Sequence, residues 1–281
     1  MKAQRVPLSG AHAVITGGAR GIGFATAKRL VAQSCSVTLW DLDANALEEA
    51  TRSLLAIAPG NTRVRGAVCD ITDRERVRAE FDAAEQETGP VDILVNNAGF
   101  LSPGDFIDQP MREWDRTIDI NVMALLAVTH TIIPSMYARH RGHIVNISSA
   151  AGTIGVPGLA VYSASKWAVW GFSEALRGEA RAHGVRVSSI HPSYIATGMF
   201  EGARIGGLGS LLVPRLRDHD VIARAIVEAA LKRGRTSPKR PRTVRLAVLL
   251  RGILPDTWFQ WTVRALGVAD SMRSWTGRGD T

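Results

Sequence analysis

Cysteine is almost missing from this 281-residue chain, which has only Cys35 and Cys69. They fall at the start of one strand-like run and the end of another, so they form neither a disulfide framework nor a metal-ligand spacing. That excludes a stapled secreted scaffold and a cysteine-built metal centre, and predicts two buried free thiols. No leader-like segment opens the sequence, and no apolar run approaches the ~20 residues of a bilayer-spanning helix. A reduced, cytoplasmic protein is expected. Internal repeats and low-complexity tracts are also missing. His183 and His191 stand isolated, with no function assigned.

What is present is alternation. The apolar runs AVITGG, SVTLWD, RVRGAVCD, VDILVNNAG, GHIVNISS and VRVSSIHPS are separated by helix-length stretches. Short apolar strands alternating with helices predict an α/β fold, a parallel sheet covered by helices on both faces. The length exceeds the usual domain size, yet α/β folds of this size form one large domain.

The first run continues as AHAVITGGARGIGFATAKRLVAQ, a strand, a glycine turn and an amphipathic helix. Gly17, Gly21 and Gly23 allow a tight turn and close backbone approach to a pyrophosphate, whose charge meets the N–H groups at the helix start. The second strand ends in Asp41, eighteen residues beyond Gly23, where an acidic group meets an adenosine ribose. Its carboxylate accepts from ribose hydroxyls and repels a 2′-phosphate, which favours NAD over NADP. Arg20, in the glycine loop, argues the other way.

Tyr162 and Lys166 lie four apart in the helical run YSASKWAV, with Ser149 thirteen positions before the tyrosine. Residues i and i+4 share a helix face, so the Lys166 ammonium can sit beside the phenol. A free tyrosine titrates near pH ~10, and acid–base work near neutrality needs roughly 4 kcal/mol of environmental help, which a nearby cation supplies. Three other candidates have structural alternatives. Ser149 is also a plausible strand-end cap, Asn121 a helix residue satisfying buried backbone, and Asp70 a turn residue.

The ordered set TGGARGIG at 16–23, NNAG at 96–99, Asn121, Ser149 and Tyr162-x-x-x-Lys166 resembles the signature of the short-chain dehydrogenase/reductase family over residues 8 to 235. The resemblance implies a single-domain, Rossmann-like, doubly wound parallel sheet and a catalytic set of Asn121, Ser149, Tyr162 and Lys166. Tyr162 would be the acid/base and Ser149 the hydrogen-bond partner of the substrate oxygen. Lys166 would lower the tyrosine pKa and hold the nicotinamide ribose, and Asn121 would support a proton-relay water. The implied cofactor set is Gly17, Arg20, Gly21, Ile22, Gly23, Asp41, Asp70, Ile71, Asn97, Ala98, Gly99, Tyr162, Lys166, Pro192, Ile195 and Thr197, with Asp70 at the adenine and no metal. One departure stands out. Where the family usually has Pro-Gly, this chain has Pro192-Ser193.

The activity implied is interconversion of a secondary alcohol and a ketone with NAD, less favourably NADP. The alternatives are a sugar-nucleotide epimerase or dehydratase and a non-catalytic dinucleotide sensor. Phe100, Leu101, Val156, Leu159 and Phe200 are expected to line a largely apolar substrate pocket under a mobile flap, GMFEGARIGGLGSLLVP. A lipophilic small molecule follows, such as a steroid, a retinoid-like compound or an acyl derivative.

Acidic residues are scarce at the end. Of 34 basic and 26 acidic side chains, residues 231–281 hold 11 and 3, so the formal excess of +8 belongs to this tail. Residues 1–235 read as the catalytic domain and 236–281 as a basic, apolar, helical extension, either part of the same domain or a lid or interface element. The basic tail from residue 231 opens with a loop-like KRGRTSPKRPR. Packing over the substrate pocket or on a neighbouring subunit, in a homodimer or homotetramer, is preferred. Peripheral membrane contact is the second reading, and nucleic-acid binding is discounted.

Overall fold

The computed structural model describes residues 4–193, 195, 216, 218–241, 243–255, 257–259 and 261. Seven parallel strands form the sheet in the order β3-β2-β1-β4-β5-β6-β7. They are β1 (His12–Thr16), β2 (Ser36–Asp41), β3 (Val64–Val68), β4 (Ile93–Asn96), β5 (Gly142–Ile147), β6 (Val185–Pro192) and β7 (Lys239–Arg240). The first six coincide with the apolar runs. The seventh lies inside the basic stretch expected to be a loop, where two residues pair through His191↔Lys239 and Pro192↔Arg240.

Helices α1 (Gly21–Val31), α2 (Ala44–Leu55), α3 (Arg74–Thr88), α4 (Met111–Ile118), α5 (Leu125–Ala138), α6 (Ala160–Ala182), α7 (Asp220–Arg224) and α8 (Val244–Ile253) flank the sheet. Alternate β1 residues serve opposite faces, as the two-residue strand period requires. Ala13 and Ile15 join a core with Leu30 of α1, Leu54 of α2 and Ile222 of α7. Val14 faces the other core, with Phe81 of α3, Ile132 of α5 and Ala180 of α6. The buried free thiols Cys35 and Cys69 belong to these cores, and burial pushes both up to about 12.

A π-helical turn over Asp119–Ala124 joins α4 to α5, making one helix from Met111 to Ala138. By length and composition that helix is apolar enough to cross a bilayer. Val128, Ile132 and Met136 are nevertheless buried in the core, so it packs as a sheet-covering helix. The sheet order reverses between β1 and β4, which opens a crevice at their carboxyl ends.

Candidate active site

A cleft of about 430 Å³ opens at that switch point, lined from the β1 loop by Gly17, Arg20, Gly21 and Ile22. Gly17 and Gly21 have φ of 61° and 56°, a backbone region that strains any side chain. Gly23 lies behind the lining, where a Cβ would stand 2.2 Å from the Gly17 carbonyl oxygen. Helix α1 has no side-chain cap and no acidic residue in its first turn. Its leading N–H groups are suited to an anion.

From β2 the cleft receives Asp41, Leu42 and Asp43. The Asp41 carboxylate accepts from Ala19 N at 3.0 Å and Asp43 N at 3.3 Å. Arg20 is drawn onto Asp43 at 2.5 Å. Asp70 and Ile71 line the same end. Asp70 also ties its own turn, accepting from the Thr72 amide and hydroxyl.

From β4 come Asn97, Ala98 and Gly99. Thr16 Oγ1 accepts from the Asn97 and Ala98 amides, while Asn97 Nδ2 donates to the carbonyls of Thr16 and Gly17. The NNAG turn is thereby bonded to the end of β1 and to the glycine loop. Asn121 stands outside the lining in the π turn. Its amide donates to Phe100 O and Ser165 Oγ, and its Oδ1 accepts from Phe100 N.

The reacting end is built by β5 and α6. Ser149 follows β5, and its Oγ accepts from Ala151 N at 3.1 Å, capping a short 3₁₀ turn. Tyr162 and Lys166 occupy one face of α6, and both are buried while lining the cleft. Lys166 Nζ donates to Ile147 O at 3.2 Å and lies 5.6 Å from the Tyr162 ring centroid. Burial pulls the Lys166 pKa down to about 8. Leu101, Val156 and Leu159 pack with Tyr162 in a small apolar cluster, and Phe100 lines the cleft.

Pro192, Ser193 and Ile195 close the cleft from β6. Thr197, Phe200 and the expected flap lie outside the described residues. The Ser193 amide donates to Arg240 O, but the hydroxyl of this buried residue, 5% exposed, has no hydrogen-bond partner among the described residues. An orphaned hydroxyl, an uncapped helix start and a glycine cradle suit a dinucleotide.

Several lining residues had no sequence signal, Arg116 and His219 among them. Arg116 of α4 stacks its guanidinium on Phe100 at 4.2 Å, and His219 reaches Gly21 from just before α7. His191 was also passed over; its ring faces the Ser149 carbonyl at 3.4 Å and the Ser189 hydroxyl at 3.0 Å. Only the fold brings such positions together.

A profile of the short chain dehydrogenase family matches residues 11–206. The chain belongs to the short-chain dehydrogenase/reductase family. Among curated relatives, epidermal retinol dehydrogenase 2 of Mus musculus is 34% identical over 277 residues, covering 98% of this chain and 88% of the relative. A short-chain dehydrogenase/reductase from Burkholderia phymatum in complex with NAD superposes with a TM-score of 0.80 at 26% identity, covering 91% and 96% of the two chains. A metagenomic short-chain oxidoreductase in complex with NADP gives 0.69 at 30% identity, covering 83% and 96%. As a short-chain dehydrogenase/reductase, this chain carries the family's doubly wound sheet with a cleft at its switch point.

Proposed function

We propose that this chain is a nicotinamide-dinucleotide-dependent oxidoreductase that interconverts a lipophilic secondary alcohol and its ketone, with NAD preferred. One observation carries the reading: Ser149, Tyr162 and Lys166 line the same cleft as the glycine loop and Asp41. When bound, the nicotinamide supplies the hydride chemistry. Tyr162 takes the alcohol proton or returns it to the carbonyl oxygen, and Ser149 Oγ hydrogen-bonds that oxygen. Lys166, mostly protonated at neutral pH despite its burial, favours the phenolate. The Asn121 side chain is committed to Phe100 and Ser165, so the proton-relay water falls to its backbone in the π turn.

NAD is preferred because a 2′-phosphate would meet two carboxylates, Asp41 and Asp43, with Arg20 already paired to the second. Leu101, Val156 and Leu159 beside Tyr162, and the likeness to a retinol dehydrogenase, support a lipophilic substrate. We assign residues 1–235 to the catalytic domain and 236–281 to a C-terminal extension that starts within the same domain as β7, supported by the His191↔Lys239 pairing and the bond from Arg251 Nη1 to Thr153 O near the site. Exposed Ile107, Met111 and Met123 offer surface for a homodimer or homotetramer, and the buried free thiols suit a cytoplasmic setting.

The test is formation of reduced nicotinamide with a panel of retinoid, steroid and long-chain secondary alcohols, with Tyr162→Phe alongside. Turnover with NAD that vanishes in the variant is expected. Cofactor binding without turnover on any alcohol would point instead to a dinucleotide sensor.

A further inference from the structure

We infer that α8 and the turn after it dock the protein on an anionic lipid surface. This inference goes beyond the proposed reaction and does not depend on it. Leu246, Leu249, Leu250 and Ile253 fall at i, i+3, i+4 and i+7, so they form one stripe along α8. That stripe faces solvent: Leu249 is 58% exposed and Ile253 67%. The opposite face meets the protein. Val244 is buried, and Arg251, seven residues on, donates to Thr153 O at 2.8 Å and lies 4.4 Å over the Trp167 ring. The polarity of a surface helix is thus reversed, with the arginine inward and the leucines outward. Beyond Pro255, Trp258 and Trp261 are both about 70% exposed, while buried Phe259 between them pins the segment.

Charge identifies what covers this face. Residues 231–281 hold 11 basic and 3 acidic side chains, and Arg233 and Arg235, ahead of β7, are exposed. A second copy of the chain brings the same basic excess to any contact between copies. The remaining 230 residues carry 23 charges of each sign and offer no balancing acidic excess. A membrane with anionic headgroups satisfies both features, taking up the leucine stripe and attracting the exposed Arg233 and Arg235. The tryptophans suit the headgroup boundary. Ten residues of helix span about 15 Å, too short to cross, so α8 would lie in the interface.

Vesicle flotation of the full chain tests this, using phosphatidylcholine vesicles with or without phosphatidylserine. The comparison is the double variant Leu249→Asp, Ile253→Asp, whose exposed positions should leave thermal unfolding unchanged. The wild type should float with the anionic vesicles, at least about tenfold less with neutral ones, and the variant with neither. Equal flotation of wild type and variant would overturn the inference, as would no flotation of the wild type. A wild-type dimer that the variant converts to monomer, without flotation, would assign the stripe to a second copy instead.

Discussion

Lys166 Nζ is anchored to the Ile147 carbonyl at 3.2 Å rather than to any carboxylate. With burial uncompensated by an acid, its pKa falls from the usual 10.5 to about 8. The folded value lies below the unfolded one, so the unfolded chain holds the extra proton between pH 8 and 10.5. The cost to stability, about 3 kcal/mol, is therefore full below pH 8 and relieved as the pH rises. Denaturant unfolding of the wild type and Lys166→Met, without cofactor, should show the wild type gaining roughly that amount on the variant from pH 7.5 to 10.5.

At the other end of the scale, burial lowers two imidazoles furthest, His143 and His191, each to about 3. Here too the unfolded chain binds the extra protons, now between about pH 3 and 6.5. Stability held above pH 6.5 should be lost on acidification, with a slope reaching roughly 2.7 kcal/mol per pH unit. Unfolding midpoints from pH 7 to 5 would reveal it, and His143→Gln should flatten the slope.

Gly23→Ala would drive a methyl to 2.2 Å from Gly17 O, and that atom is backbone and cannot swing aside. The glycine loop must then open. A loss of about 1–3 kcal/mol in stability is expected, with a weakening of NADH binding of at least about tenfold, read by fluorescence titration.

Asp41→Asn with Asp43→Ser removes both carboxylates and releases Arg20, while the serine can still cap α2 in place of the Asp43 bond to Ala46 N. The preference for NAD over NADP, taken as the ratio of kcat/KM values, should fall by at least about tenfold. An unchanged ratio would place the discrimination elsewhere in the cleft.

Ser193→Ala should act with opposite signs in the two states. Removing a buried hydroxyl that has no partner among the described residues should leave the cofactor-free protein equally or more stable, since an orphaned donor costs about 1–3 kcal/mol. NAD binding should weaken about fivefold or more when the hydroxyl no longer meets the ligand.

The glycine loop, Asp41, Ser149, Tyr162 and Lys166 were legible in the sequence because each belongs to a local pattern, a strand end or one turn of helix. Six strands were legible for the same reason, as apolar runs. β7 was not, because Lys239 and Arg240 are strand residues only through pairing with His191 and Pro192, some fifty residues earlier. Arg116, His219 and His191 were silent for a related reason, as their neighbours in the site come from distant elements. The tail read as amphipathic, but only the fold, through buried Val244 and the Arg251 contact, shows which face is inward.

The late position of β7 also bears on how the protein is made. Ser193, beside the reacting end of the cleft, gives its amide to Arg240, and β6 has its outer neighbour only once Lys239 arrives. A growing chain can assemble β1 to β3 early, and β4 can join β1 soon after Ile93 emerges. The floor of the cleft must wait. Until Lys239 and Arg240 have been synthesised, β6 stands as an open, buried-type edge, the kind of surface that attracts chaperones or stray strands.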